Sequence, residues 1–237
     1  MRQNLIFIHG FRGNSNGLKA VASCFDPKKY NIYTPDLPPA GGHSLKTYDA
    51  ASYANFIANF IKKNNLKRPI LIGHSMGSII AAATAEKYPE LIADKIVFLA
   101  PISKKPAFFF ACLTPLCGIL PNKLITYITT RYMFIPKDKD LFKKVLQISN
   151  KCGADYTAKH DVFRSGWFSS HAAISDFDIH KDAIFISGEN DRLIPKSATE
   201  IVARKFHAKT VYVDGTGHLL NYENPSKTAA AILDYIN

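Results

Sequence analysis

The sequence predicts an α/β protein whose parallel sheet is covered by helices on both faces. Three observations carry that expectation. Six short apolar runs alternate with helical stretches, the pattern of strands buried on both sides. Pro69 to Ala83 reads as an apolar strand, a Gly73-His74-Ser75-Met76-Gly77 turn and a helix rich in small residues. About eighty residues, 101–180, separate the fourth strand from the fifth, far more than a crossover needs.

Taken in order, the first strand is Leu5 to Ile8, and it runs into the glycine-punctuated loop His9-Gly10-Phe11-Arg12-Gly13. Asn31 to Thr34 forms the second strand and ends at Pro35-Asp36. A helix follows whose apolar positions Tyr53, Phe56, Ile57, Phe60 and Ile61 keep the three-and-four spacing of one buried face. The third strand, Ile70 to Ile72, enters the Gly-x-Ser-x-Gly turn, and its helix stops near Tyr88-Pro89, where proline cannot continue the ladder. Strands four to six are Lys95 to Leu99, Ile184 to Ser187 and Thr210 to Val213, with helices over Lys196 to Phe206 and Pro225 to Tyr235.

Residues 101–180 are expected to form a mostly helical cap above the sheet. The cap opens on the aromatic stretch from Phe108 to Leu120, continues with a helix carrying Leu141, Phe142, Val145 and Leu146, and ends around Trp167-Phe168.

At 237 residues and 47% hydrophobic composition the chain can bury a full core, and a single domain over 1–237 is expected. Structure begins too close to Met1 for a signal peptide, and no apolar run reaches spanning length. Cys24, Cys112, Cys117 and Cys152 lack metal-ligand spacing and read as free thiols in a reducing compartment, so a cytoplasmic location is expected. Thirty Lys and Arg stand against nineteen Asp and Glu, a net charge of +11. The basic residues are spread along the chain without interleaved aromatics, which argues against a nucleic-acid surface and leaves contact with an anionic membrane as a further expectation.

The chemistry gathers at the C-terminal ends of the strands. The turn at Gly73 to Gly77 is so tight that a side chain at 73 or 77 would collide with its neighbours, and it lifts the Ser75 hydroxyl above the strand. A serine hydroxyl needs a base, and that base needs an orienting carboxylate. Of eight histidines, His218 stands in the glycine-rich Asp214-Gly215-Thr216-Gly217-His218 loop after strand six and is the expected base. His9 and His74 are expected to brace backbone. Asp191, after strand five, is the chosen carboxylate, with Glu189 the competitor and Asp214 third. Oxyanion donors are expected from the amides of Met76 and of Phe11, beside Gly10, which lets the backbone approach. Arg131, Arg164 and Arg192 read as surface or loop-bracing charges rather than anchors for a substrate carboxylate.

These four motifs, in this order, resemble the α/β-hydrolase fold serine hydrolases: His9-Gly10-Phe11 is similar to their oxyanion loop, Gly73 to Gly77 to their nucleophile elbow, Gly188 to Pro195 to their acid loop and Gly217-His218 to their base loop. The resemblance covers residues 4–100 and 182–236. It implies a three-layer α/β/α sandwich without the family's usual first two strands, hence six strands in the order 2-1-3-4-5-6, with Ser75 and Phe11 side by side at the switch point. It further implies a serine hydrolase of the carboxylesterase or lipase kind that needs no metal or cofactor. The apolar insertion favours a small-molecule ester with an apolar acyl group. The same scaffold also hosts thioesterases, C–C bond hydrolases, peptidases and acyltransferases, and a non-catalytic ligand-binding or sensor protein is the alternative of a different class.

Overall fold

Six parallel strands form one sheet in the order β2-β1-β3-β4-β5-β6. They are β1 (Gln3–Ile8), β2 (Tyr30–Tyr33), β3 (Ile70–His74), β4 (Lys95–Leu99), β5 (Asp182–Gly188) and β6 (Lys209–Val213). This is a computed structural model, and it describes residues 2–104, 120–154 and 156–237. All six strands and the 2-1-3-4-5-6 order expected from the sequence are present, with ends displaced by a residue or two where the flanking turn takes over.

Alternation along each strand sorts the apolar side chains onto two faces. Ile6, Ile8, Leu71, Ile96, Phe98 and Phe185 face one layer, made by α2 (Ala50–Lys63), α3 (Met76–Lys87) and α7 (Lys196–Lys205). Leu5, Phe7, Ile72, Val97, Leu99 and Ile186 face the other, made by α1 (Lys19–Ala22) and α9 (Pro225–Ile236). Burial on both faces explains why these strands are nearly continuous apolar runs. The α2 helix starts where the Asp49 carboxylate accepts the Ser52 amide at 2.7 Å.

Among the described residues between β4 and β5 lie three α-helices, α4 (Asn122–Met133), α5 (Lys139–Ala154) and α6 (Lys159–His171). Leu141, Phe142, Val145 and Leu146 lie on α5 as expected, and α6 runs past Trp167-Phe168 to His171. Most of the aromatic stretch, Phe108 to Ile119, with Cys112 and Cys117, lies outside the described residues. Of the described cysteines, Cys24 is exposed and Cys152 buried, and both are free thiols. No helix among the described residues is long and apolar enough to cross a membrane. A short α8 (Leu220–Glu223), which the sequence reading passed over, follows β6 and its loop.

Candidate active site

Ser75 occupies the turn between β3 and α3 with φ 53° and ψ −121°, a conformation costly for any residue with a side chain. The turn is held on every side. The Ser75 amide donates to the Leu99 carbonyl at 3.0 Å, and the Ser78 hydroxyl donates to the Ser75 carbonyl while accepting the Ile102 amide. A Cβ at Gly73 would fall on the Gly77 carbonyl and within 2.8 Å of Ser78 Cα; one at Gly77 would fall on the backbone of Ile8 and His9. Both positions admit glycine alone because backbone, which cannot yield, fills the space.

The loop after β1 comes alongside. Ile8 pairs with Gly73 in the sheet, and a Cβ at Gly10 would sit 3.0 Å from Ser75 Cβ. Met76 opens α3, so its amide belongs to the positive end of a twelve-residue helix. His9 fixes the neighbouring loop: the Leu37 amide donates to its Nε2 at 2.9 Å, and its Nδ1 donates to the Gly10 carbonyl at 2.9 Å.

His218 and Asp191 complete a chain from the serine. His218 Nε2 lies 2.9 Å from Ser75 Oγ, and its Nδ1 lies 2.9 Å from Asp191 Oδ2. An ionised carboxylate only accepts, so the network assigns the ring proton to Nδ1 and leaves Nε2 to accept from the serine. Burial works to raise the Asp191 pKa, but His218 and the amides of Leu193 and Ile194, which reach Oδ1 at 2.8 and 3.0 Å, outweigh it and hold the carboxyl below its ordinary value. Glu189 and Asp214, the competing carboxylates, point elsewhere: Glu189 pairs with Lys196 at 3.6 Å and Asp214 with Lys227 at 2.9 Å, both at the surface.

Two further groups hold the base loop. His74 donates from Nε2 to the His218 carbonyl at 3.1 Å; burial, aided by the neighbouring His218, pushes its pKa down to about 3 and keeps it neutral. Glu223 accepts the amide of Gly217 and, at 3.0 Å, that of Ile135, and burial raises its pKa above the usual carboxylate value. Sequence reasoning missed Glu223. A carboxylate five residues beyond His218, in the otherwise uncharged Leu219-Leu220-Asn221-Tyr222 stretch, was the available signal.

Ser75 and His218 open onto a cavity of about 480 Å³, walled mainly by apolar side chains including Phe11, Leu18, Ile102, Ile125, Ile128 and Met133. Histidines aside, Arg12 is the charged residue among its described walls, and its guanidinium binds Asn122 and Thr126 of α4. Arg164 is bound to the Lys46 carbonyl and Arg192 to that of Tyr132; neither lines the cavity, nor does Arg131.

The alpha/beta hydrolase family model matches residues 5–231. The chain belongs to this family. Among curated proteins it is 25% identical to "Putative esterase/lipase 2" of Mycoplasma pneumoniae, covering 99% of this chain and 88% of the relative, and 25% identical to "Uncharacterized hydrolase YugF" of Bacillus subtilis, covering 99% and 90%. Among solved structures, an esterase from Exiguobacterium antarcticum superposes with a TM-score of 0.86 at 15% identity, covering 99% of this chain and 91% of that one. A bromoperoxidase from Bacillus anthracis gives 0.87 at 16%, covering 100% and 92%. The structural likenesses fix the fold. The sequence relatives support an enzyme of the hydrolase class.

Proposed function

We propose that this α/β hydrolase is a serine esterase that cleaves carboxylic esters with an apolar acyl group through an acyl-enzyme on Ser75. The observation that carries the reading is the chain Asp191–His218–Ser75, closed by two 2.9 Å hydrogen bonds at the floor of an apolar cavity.

In the first half-reaction Ser75 Oγ attacks the ester carbonyl as its proton passes to His218 Nε2. Asp191, held ionised, stabilises the imidazolium through Nδ1. The oxyanion takes its hydrogen bonds from the amides of Met76 and Phe11, each donor being worth on the order of 3 kcal/mol of transition-state stabilisation. The imidazolium then protonates the departing alcohol. Water, deprotonated by His218, attacks the acyl group; the serine leaves with the returned proton and the carboxylic acid is released. Helices α4, α5 and α6, between β4 and β5, act as the cap that closes the acyl site. Because the walls are mainly apolar, the cavity offers an uncharged acyl chain better complementarity than a charged one.

The test is turnover of p-nitrophenyl esters of increasing acyl length by the parent and by Ser75→Ala, with fluorophosphonate labelling of Ser75 and competition by esters, thioesters and amides. The expected result is labelled parent, loss of turnover in Ser75→Ala, and competition strongest from apolar esters. Parent-like hydrolysis by Ser75→Ala overturns the mechanism, and a preference for thioesters or amides overturns the substrate class.

A further inference from the structure

The α4 helix is amphipathic in the wrong sense for a helix that packs on a core. Its protein-facing side carries Ile125, Thr126, Thr129 and Thr130. Two of these threonines return their hydroxyls to their own helix, Thr126 to the Asn122 carbonyl at 2.7 Å and Thr129 to that of Ile125 at 2.8 Å. The opposite side carries Leu124, Tyr127, Ile128 and Tyr132, which are 48, 49, 51 and 39% exposed. Positions 124, 127, 128 and 132 follow the three-and-four spacing that normally marks the face turned inward.

Two observations say what this face meets. The first is charge. Arg131 falls in the middle of the stripe and Lys123 at its edge, α4 carries no acidic residue, and residues 120–154 hold seven Lys or Arg against two Asp. Long basic side chains set among apolar and tyrosine side chains suit the boundary between anionic headgroups and acyl chains, where each residue keeps its polar end in water. The second is continuity: Ile128 and Tyr132 also line the cavity that holds Ser75, so the exposed stripe runs into the mouth of the candidate site.

We propose that α4 is a docking face by which this protein rests on an anionic lipid surface. Leu124, Tyr127 and Ile128 enter the acyl boundary while Arg131 and Lys123 meet lipid phosphates. The docking itself does not depend on ester hydrolysis. Its consequence, that a lipid-borne ester passes from the bilayer into the cavity along Ile128 and Tyr132, rests on the esterase reading.

The experiment is co-sedimentation of the full chain, carrying Ser75→Ala so that no lipid is consumed, with vesicles of mixed phosphatidylglycerol and phosphatidylcholine or of phosphatidylcholine alone. The proposal expects binding to the mixed vesicles, weakened by salt. Partitioning should fall roughly ten-fold in Leu124→Gln, the loss of about one buried leucine, with an unchanged melting temperature. Arg131→Glu, a change at an exposed position, serves the same purpose should Leu124→Gln fold poorly. Absence of binding to the mixed vesicles, equal binding to pure phosphatidylcholine, or undiminished binding by both variants overturns the proposal. So does a concentration-dependent dimer in gel filtration that Leu124→Gln abolishes, since the occupant is then a second copy. Turnover of soluble esters without vesicle binding overturns the docking alone; vesicle binding by a parent chain that turns over no ester overturns the esterase reading alone.

Discussion

Two helices of twelve residues flank the candidate site, α3 through Ser75 at its N-terminus and α4 through side chains that line the cavity, and they are built on opposite rules. In α3 ten residues, from Met76 through Ala85, are buried, so the helix is small and apolar all round and its N-terminus is fixed beside Ser75. In α4 three residues are buried, and the larger apolar side chains face out. The first is dictated by what already surrounds it. The second leaves apolar side chains that the fold does not cover, and under the two proposals above the contrast separates the part of the molecule that performs the reaction from the part that selects what reaches it.

Substitutions on the two sides should therefore differ in kind and size. The largest effect is expected at the acid loop: Asp191→Asn should lower kcat/KM for a short p-nitrophenyl ester by about 10⁴-fold while the fold is retained, because the amide favours the wrong imidazole tautomer. A loss below ten-fold would remove Asp191 from the proposed mechanism. Next comes Gly77→Ala, where the new methyl meets the carbonyls of Ile8 and His9; urea unfolding should show a loss of about 3 kcal/mol or more. Glu223→Ala, which leaves the amides of Gly217 and Ile135 without their shared acceptor, should cost about 2 kcal/mol and lower turnover by loosening the base loop.

His74 gives a pH signature of similar size. Its pKa is depressed to about 3 in the folded protein, against an ordinary value near 6.5. Below the ordinary value the unfolded chain therefore binds a proton that the native state refuses. Stability that is complete above about pH 6.5 is lost as the pH falls toward 3, amounting to roughly 2 kcal/mol at pH 5. The parent should lose that much between pH 7 and pH 5 in urea titrations and His74→Gln should not; parallel losses would assign the acid sensitivity to other groups. The smallest effect is expected on α4, where Leu124→Gln should change stability by under about 0.5 kcal/mol. A loss of 2 kcal/mol there would mean that α4 is held by its outer face after all.

How much could be read beforehand follows the same division. The strands were legible because burial on both faces writes a continuous apolar run, and Gly73, Ser75 and Gly77 because one tight turn excludes side chains at two fixed places. Asp191 could be preferred over Glu189 and Asp214 only by its place in a loop; its pairing with His218 joins loops 27 residues apart in sequence, and nothing in the order of residues marks the lysines that hold its rivals at the surface. Glu223 was hidden because its partners are backbone amides, one of them at Ile135, and an amide leaves no mark on composition. The inverted face of α4 was hidden for another reason: its period is that of any packed helix, and only the position of the sheet says which side is outside.

The close approach of Gly188 to Gly217 has one further consequence. A Cβ on Gly188 would strike the Gly217 carbonyl, so the end of β5 and the loop that follows β6 touch through main chain with no side chain between them. Asp191 and His218, the proposed acid and base, thereby stand on loops in direct main-chain contact, so a displacement of one loop is expected to displace the other. For protein engineering this makes the pair a single transferable part: moving His218 to another scaffold without the Gly188 to Ile194 loop would carry over the residue but leave behind the ruler that sets its distance to Asp191.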